Sequence, residues 1–183
     1  LDATNVIPKP ALSIITPISM DHAEKLGPTL SKIALEKAGI LKRGVTGIVA
    51  PQVDEVMRVI EARANVAGSP IIVGGRDYDA FEQNGRLIIQ REDTLLDLPL
   101  PALIGRHQVT NAGAAVAAVL TLIEQRPELG LDEAAIAKGL RTVEWPARMQ
   151  RLTKGPLPDI LGPETELWLD GGHNPAAGDM LAD

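Results

Sequence analysis

The apolar positions of this chain fall into short runs separated by amphipathic stretches and polar turns. Ala11–Ile18 (ALSIITPI), Gly47–Ala50 (GIVA) and Pro70–Val73 (PIIV) are brief, β-branched runs of the kind that form buried strands. Between them, Thr29–Ala38 reads as a helix with Ile33, Leu35 and Ala38 as apolar positions and Gly39 as a stop signal. Val53–Ala67 carries Val53, Val56, Met57, Ile60 and Ala64 at helical spacing. This alternation predicts a parallel α/β sheet. The pattern then changes. Tyr78–Gln83 and Arg86–Arg91 flank Asn84-Gly85, a strong hairpin signal, and Leu95–Ile104 adds an extended Pro-containing segment. An antiparallel excursion is therefore expected inside the α/β unit. Two Ala/Val/Leu-rich helices follow, Thr110–Glu124 and Leu131–Val143, the second capped by Asp132 and ended by Trp145-Pro146. Arg148–Leu152 and Glu166–Leu169 read as strands opening a second unit, with the Pro/Gly-rich Gly155–Pro163 between them as a surface loop. Asn174 followed by Pro175 has the form of a helix start.

Composition narrows the picture. With 183 residues, 45% of them hydrophobic, the chain can build one substantial core, or one domain and part of another. Its aromatics are only Phe81, Tyr78, Trp145 and Trp168, which suits an aliphatic core and argues against base-stacking platforms. The net charge of −6 argues against a nucleic-acid partner or an anionic membrane surface, though not against a local nucleotide site. Without cysteine there is no disulfide framework or thiolate metal site, and a reducing, cytoplasmic setting fits. No apolar run approaches the roughly 18 residues that span a bilayer, and no signal peptide is visible. The sequence starts at Leu1-Asp2 without Met and stops at Asp183 just after a helix start, so a fragment of a longer protein is expected.

Several polar residues sit where chemistry is possible. Asp21-His22 follows a predicted parallel strand, the side on which open α/β sheets bind ligands; the pair is either a metal site or a hydrogen-bonded loop pair. Lys37 lies among Ala34, Ala38 and Ile40, and either faces a cleft or snorkels to solvent. His107 and Asn111 are four apart at a helix start. Asn111 offers donors and an acceptor suited to a purine edge, or it simply caps. Arg148, just after a helix-breaking turn, could reach a phosphate or form a surface ion pair. Asp170, His173 and Asn174 lie between a strand and a helix, an anion-friendly place where Asp170 could instead accept ribose hydroxyls, or where a polar loop has no role. No GxxxxGK[ST] loop, GxGxxG, HExxH or serine nucleophile elbow occurs in these residues.

Six segments carry a resemblance: LDATN (1–5), ITPISMDH (15–22), LGPTLSKIALEKAGILK (26–42), GRHQVTNAGAAVAA (105–118), VEWPARMQ (143–150) and LDGGHNPAA (169–177). In this order they resemble the folylpolyglutamate and dihydrofolate synthases of the Mur ligase superfamily, across essentially the whole chain. The resemblance implies a Mur-ligase-type central ATPase domain over 1–147 and the truncated opening of a Rossmann-like, glutamate-binding C-terminal domain over 148–183. It implies ATP-dependent addition of L-glutamate to a folate or dihydropteroate carboxylate through an acyl phosphate, in a protein expected to be monomeric. His22 is then similar to a Mg2+ ligand, and Lys37 to a lysine that carbon dioxide converts to a carbamate, which requires a partly buried, neutral amine. Asn111 resembles the adenine-side Asn, Arg148 the phosphate-contacting Arg, Asp170 the ribose-binding Asp, and His173 the nucleotide-contacting His. Gly172 stands where the family usually has Ala, and Ala147 where Gly usually precedes the Arg. The family's phosphate loop and a glutamate metal ligand would lie before Leu1, so residues 1–183 alone are expected to be inactive. Two rivals remain: a Mur-type ligase acting on a UDP-muramyl precursor, and a non-catalytic nucleotide-binding module.

Overall fold

The computed structural model describes residues 5–162 and 164–182. Leu1 to Thr4 of the LDATN segment, and Pro163 at the end of the expected surface loop, lie outside the described residues. Three short strands, β1 (Ser13–Ile15), β2 (Gly47–Val49) and β3 (Ile71–Val73), form a parallel sheet in the order β1-β2-β3. Its register aligns Ile15, Val49 and Val73 on one row and Ile14, Ile48 and Ile72 on the next. Alternation sends the first row toward α2 (Leu30–Lys37) and α3 (Asp54–Ala67), where Ile33, Ala34, Val56 and Ile60 complete an aliphatic core. The second row faces the opposite way. There Ile48 and Ile72 pack with Ala114, Ala117 and Ala118 of α4 (His107–Gln125).

The antiparallel excursion is present as β4 (Asp79–Gln83), β5 (Arg86–Arg91) and β6 (Thr94–Pro99). Asn84 and Gly85 join β4 to β5 with φ of 53° and 73°, the two positive values that a type I′ hairpin turn demands. The inner face of this sheet, Leu87, Ile89, Leu96 and Leu98, packs on α4 and on α5 (Glu133–Thr142). Helix α4 is thus the shared layer between the two sheets. Gly113 lets it approach closely, since a Cβ there would stand 2.3 Å from the Ala80 Cβ.

Caps follow the sequence. Thr29 accepts from the Lys32 N–H, and Asp132 accepts from the Ala135 N–H at 2.8 Å. Gly68 ends α3 in the left-handed conformation. Beyond α5, β7 (Gln150–Leu152) and β8 (Leu167–Leu169) pair antiparallel. One expectation is corrected. The segment read as a surface loop contains α6 (Pro156–Leu161), because Pro156 and Pro158 both fall in a first turn, where missing N–H groups cost nothing. A short helical turn, α1 (Ala23–Leu26), follows Asp21-His22.

Tyr78 offers a clean test of this core. It is the only tyrosine, is 3% exposed, and its hydroxyl donates to the Val49 carbonyl oxygen at 3.4 Å. Burial pushes its hydroxyl up to about 12. A raised acid group stabilises the fold fully below its ordinary value near 10, and that contribution fades as pH climbs through about 12. Absorbance near 295 nm, the tyrosinate band, is therefore expected to show no ionisation at pH 10–11 while the protein is folded. The signal should rise together with alkaline unfolding, and Tyr78→Phe should flatten the loss of stability over that window.

Candidate functional site

Asp21 and His22 follow β1, at the end of the sheet where parallel strands present their carboxyl termini. His22 is held at φ 50°, an uncommon conformation for a residue with a side chain, and its carbonyl starts α1 by accepting from the Lys25 and Leu26 N–H groups. Such an outlier persists only where surrounding structure over-determines it. His173 comes to the same place from the second unit. It lies between β8 and α7 (Pro175–Ala182), whose start is capped by Asn174 accepting from the Ala177 N–H at 2.9 Å. The His173 and His22 rings are 5.6 Å apart, and Asp21 lies 3.7 Å from each imidazole Nε2. The potential donor atoms of Asp21, His22 and His173 all lie within 4.8 Å of one another.

A second set is tied to this one through the β8–α7 turn. Asp170 accepts from the Met149 N–H at 2.8 Å and from the Gly172 N–H at 2.6 Å, and Gly171 N–H donates to the Ala147 carbonyl. The linker after α5 is thereby clamped to the turn. The Met149 N–H above all holds the Asp170 carboxyl below the usual carboxylate range; slight burial opposes this, and the Gly172 N–H, Arg148 and His107 add to it. Arg148 is exposed beside Gly171, where a Cβ would come within 3.3 Å of its guanidinium. Both residues flanking Arg148 are in the left-handed region, Ala147 at φ 56° and Met149 at φ 43°. Glycine would adopt this backbone at position 147 without strain. Left-handed backbone costs a residue with a Cβ roughly 1–2 kcal/mol, part of which the greater unfolded-state freedom of glycine cancels. Ala147→Gly is therefore expected to raise stability by about 0.5–1 kcal/mol, measurable as a higher urea midpoint at unchanged slope.

The first turns of α4 supply the third set. His107 and Asn111 are half-buried, and neither caps the helix. They are bridged by Gln108, a residue that sequence reasoning passed over. Its buried side chain lies 2.9 Å from His107 Nε2 and accepts from Asn111 Nδ2 at 3.2 Å. The three-residue spacing of Gln108 and Asn111, which places them on one helix face, was the available signal. An open groove of about 490 Å³ runs beside Arg148, lined by Leu103, Ile104, Trp145 and Pro146 among others.

Lys37 is placed differently. Its helical position faces inward, four after Ile33 and three after Ala34, but it is the last residue of α2 and its side chain is exposed rather than partly buried. Among the described residues it makes no hydrogen bond or ion pair with His22, His173 or Asn111.

No family model matches the chain. The comparisons with individual proteins are decisive. Folylpolyglutamate synthase of Lacticaseibacillus casei is 31% identical over 95% of this chain, and dihydrofolate synthase/folylpolyglutamate synthase of Bacillus subtilis is 31% identical over all of it. A solved FPGS–AMPPCP–folate complex superposes with a TM-score of 0.81 at 30% identity, covering 98% of this chain. The chain is a relative of the folylpolyglutamate and dihydrofolate synthases. It spans 39% and 41% of the length of those two enzymes and 42% of the FPGS chain. FolC of E. coli, in complex with DHPP and ADP, matches 99% of this chain with a TM-score of 0.76 at 28% identity. The α/β fold with its antiparallel sheet is thus that of the FPGS and FolC structures over the matched part.

Proposed function

We propose that this chain is part of an ATP-dependent ligase that joins L-glutamate to a folate or dihydropteroate carboxylate through an acyl phosphate. The observation that carries this reading is the match, along nearly the whole chain, to an FPGS bound to AMPPCP and folate. The site supports it, because His173 after β8 comes up to Asp21 after β1, and a reaction joining a nucleotide and an amino acid requires groups from both segments held together. On this reading residues 1–147 are the later part of the central ATP-binding domain, and residues 148–183 open the glutamate-ligase domain.

Each group then has a role. Asn111 meets the adenine edge and Asp170 the ribose hydroxyls, using carboxylate lone pairs beyond those taken by Met149 and Gly172. Arg148 reaches phosphate oxygens as a planar donor. His173 contacts the nucleotide from the second unit. The donors near His22 would hold a divalent ion through a carboxylate oxygen of Asp21 and an imidazole nitrogen of His22, and such an ion would offset charge on the phosphates. Lys37 joins this set only as a carbamate, which replaces a repelling ammonium by an anion on a long stem. Residues 1–183 alone are inactive, since they contain no phosphate-cradling loop.

The natural protein that carries this sequence is expected to release ADP and phosphate only when ATP, L-glutamate and a folate or dihydropteroate are all present, with a glutamylated product by mass spectrometry. Turnover with UDP-muramyl peptide in place of the pteridine acid would transfer the assignment to a cell-wall ligase. Nucleotide binding without turnover on either substrate would leave a non-catalytic module.

A further inference from the structure

We propose that Gln108 is a positioning residue that fixes which face of the Asn111 amide meets the purine, and so selects 6-amino purine nucleotides over 6-oxo ones. The inference rests on the reading of Asn111 as a nucleotide contact. Gln108 is the second residue of α4, 6% exposed, and a long polar side chain so enclosed must satisfy both ends of its amide. It does so within one helical turn: Nε2 lies 2.9 Å from His107 Nε2, and Oε1 accepts from Asn111 Nδ2 at 3.2 Å.

An amide has two unlike ends. With its Nδ2 engaged by Gln108, Asn111 keeps Oδ1, an acceptor that takes no hydrogen bond among the described residues, for a ligand. Such an acceptor pairs with the exocyclic amino group of adenine. It confronts the carbonyl oxygen of hypoxanthine or guanine with another lone pair, and a buried pairing of that kind rejects the wrong partner strongly. The His107 contact holds the other end. Imidazole Nε2, as the acceptor, takes the Gln108 Nε2 donor and leaves Oε1 facing Asn111. Reversing Gln108 would need a hydrogen on His107 Nε2 and would present the Asn111 amino group instead. The selectivity is thus set through Asn111 by a side chain whose two amide ends are both taken up within its own helical turn.

Three variants of the natural protein test this, with ATP and ITP compared as substrates by kcat/KM. Gln108→Met removes both hydrogen bonds at nearly the same volume. Its ATP:ITP ratio is expected to fall about tenfold, the value of roughly one hydrogen bond, through KM for ATP rather than through kcat. Gln108→Glu keeps an acceptor for Asn111 Nδ2 and is expected to keep the wild-type ratio. Should Gln108→Met fail to fold, Gln108→Asn serves, because its shorter arm cannot reach Asn111 and the ratio must fall likewise. A folded Gln108→Met or Gln108→Asn with the wild-type ratio overturns the inference while leaving the ligase reading intact, and so does a Gln108→Glu that loses selectivity as Gln108→Met does. A wild type with no nucleotide-dependent turnover overturns both.

Discussion

Asp170→Ala is expected to lower nucleotide-dependent turnover of the natural protein by about a hundredfold. The carboxylate does two things at once. It accepts two backbone N–H groups, from Met149 at 2.8 Å and from Gly172 at 2.6 Å, which lock the strained Ala147–Met149 linker to the β8–α7 turn. It also stands beside Arg148 and His107 in the set read as the nucleotide site. Charge-assisted bonds of this kind are worth about 1.5–3 kcal/mol each, toward the low end for a half-exposed group. Losing two removes about 3 kcal/mol of positioning, and each 1.4 kcal/mol is a factor of ten. Asp170→Asn should recover little, since an amide has one acceptor and would point its NH2 group at a backbone N–H. The acid limb of the pH profile carries the same signature. Because the folded carboxyl sits below its usual range, its contribution is complete above that range and is lost as pH falls beneath it. Asp170→Asn should therefore remove that part of the acid sensitivity in a stability profile. An Asp170→Ala protein within threefold of wild-type turnover would show that the clamp has no part in catalysis.

Much of this was legible before any coordinates. The alternation that buries Ile15, Val49 and Val73 on one face of the first sheet and Ile48 and Ile72 on the other is written in three β-branched runs. Asn84-Gly85 specified its turn because few residues tolerate two consecutive positive φ values. Asn174-Pro175 specified a helix start because Asn accepts a first-turn N–H and Pro needs no partner for its missing one. Gly155–Pro163 looked like a loop because Pro was counted as a breaker, whereas Pro156 at a first helical position is a starter. For Lys37 the sequence left a cleft and solvent both open, because periodicity does not tell where a helix ends; at the end of α2 the side chain is exposed. Gln108 was invisible because its partners are other polar residues of its own helix turn, and composition does not report who pairs with whom. Gly113 stands among small residues in an Ala-rich helix, and only the crossing of α4 over β4 shows what its missing side chain is for.

That crossing sets the other large effect. Gly113→Val should destabilise the protein by about 3 kcal/mol, the upper part of the usual range for forced overpacking. At Gly113 even a single added Cβ would stand 2.3 Å from the Ala80 Cβ and 3.8 Å from both the Ala80 Cα and a Tyr78 ring carbon, whereas carbon atoms rest at about 3.5–4.0 Å. The Ala80 methyl is rigid, so relief must come from moving α4 or β4. For a chain of this size 1 kcal/mol corresponds to about 2–4 °C, so a fall in Tm of roughly 6–12 °C is expected. Gly113→Ala should cost less, because the better helix propensity of alanine offsets up to about 1 kcal/mol of the clash. The double variant Ala80→Gly with Gly113→Ala separates packing from propensity. Removing the opposing methyl restores the space, so the pair should be more stable than the two single changes sum to, by about 1 kcal/mol or more. Strict additivity would mean that α4 and β4 do not meet where the structure places them. The consequence reaches the site, because α4 carries His107, Gln108 and Asn111 at its start. A helix displaced at Gly113 takes that polar turn with it, so Gly113→Val should weaken ATP binding in the natural protein even at temperatures where it remains folded.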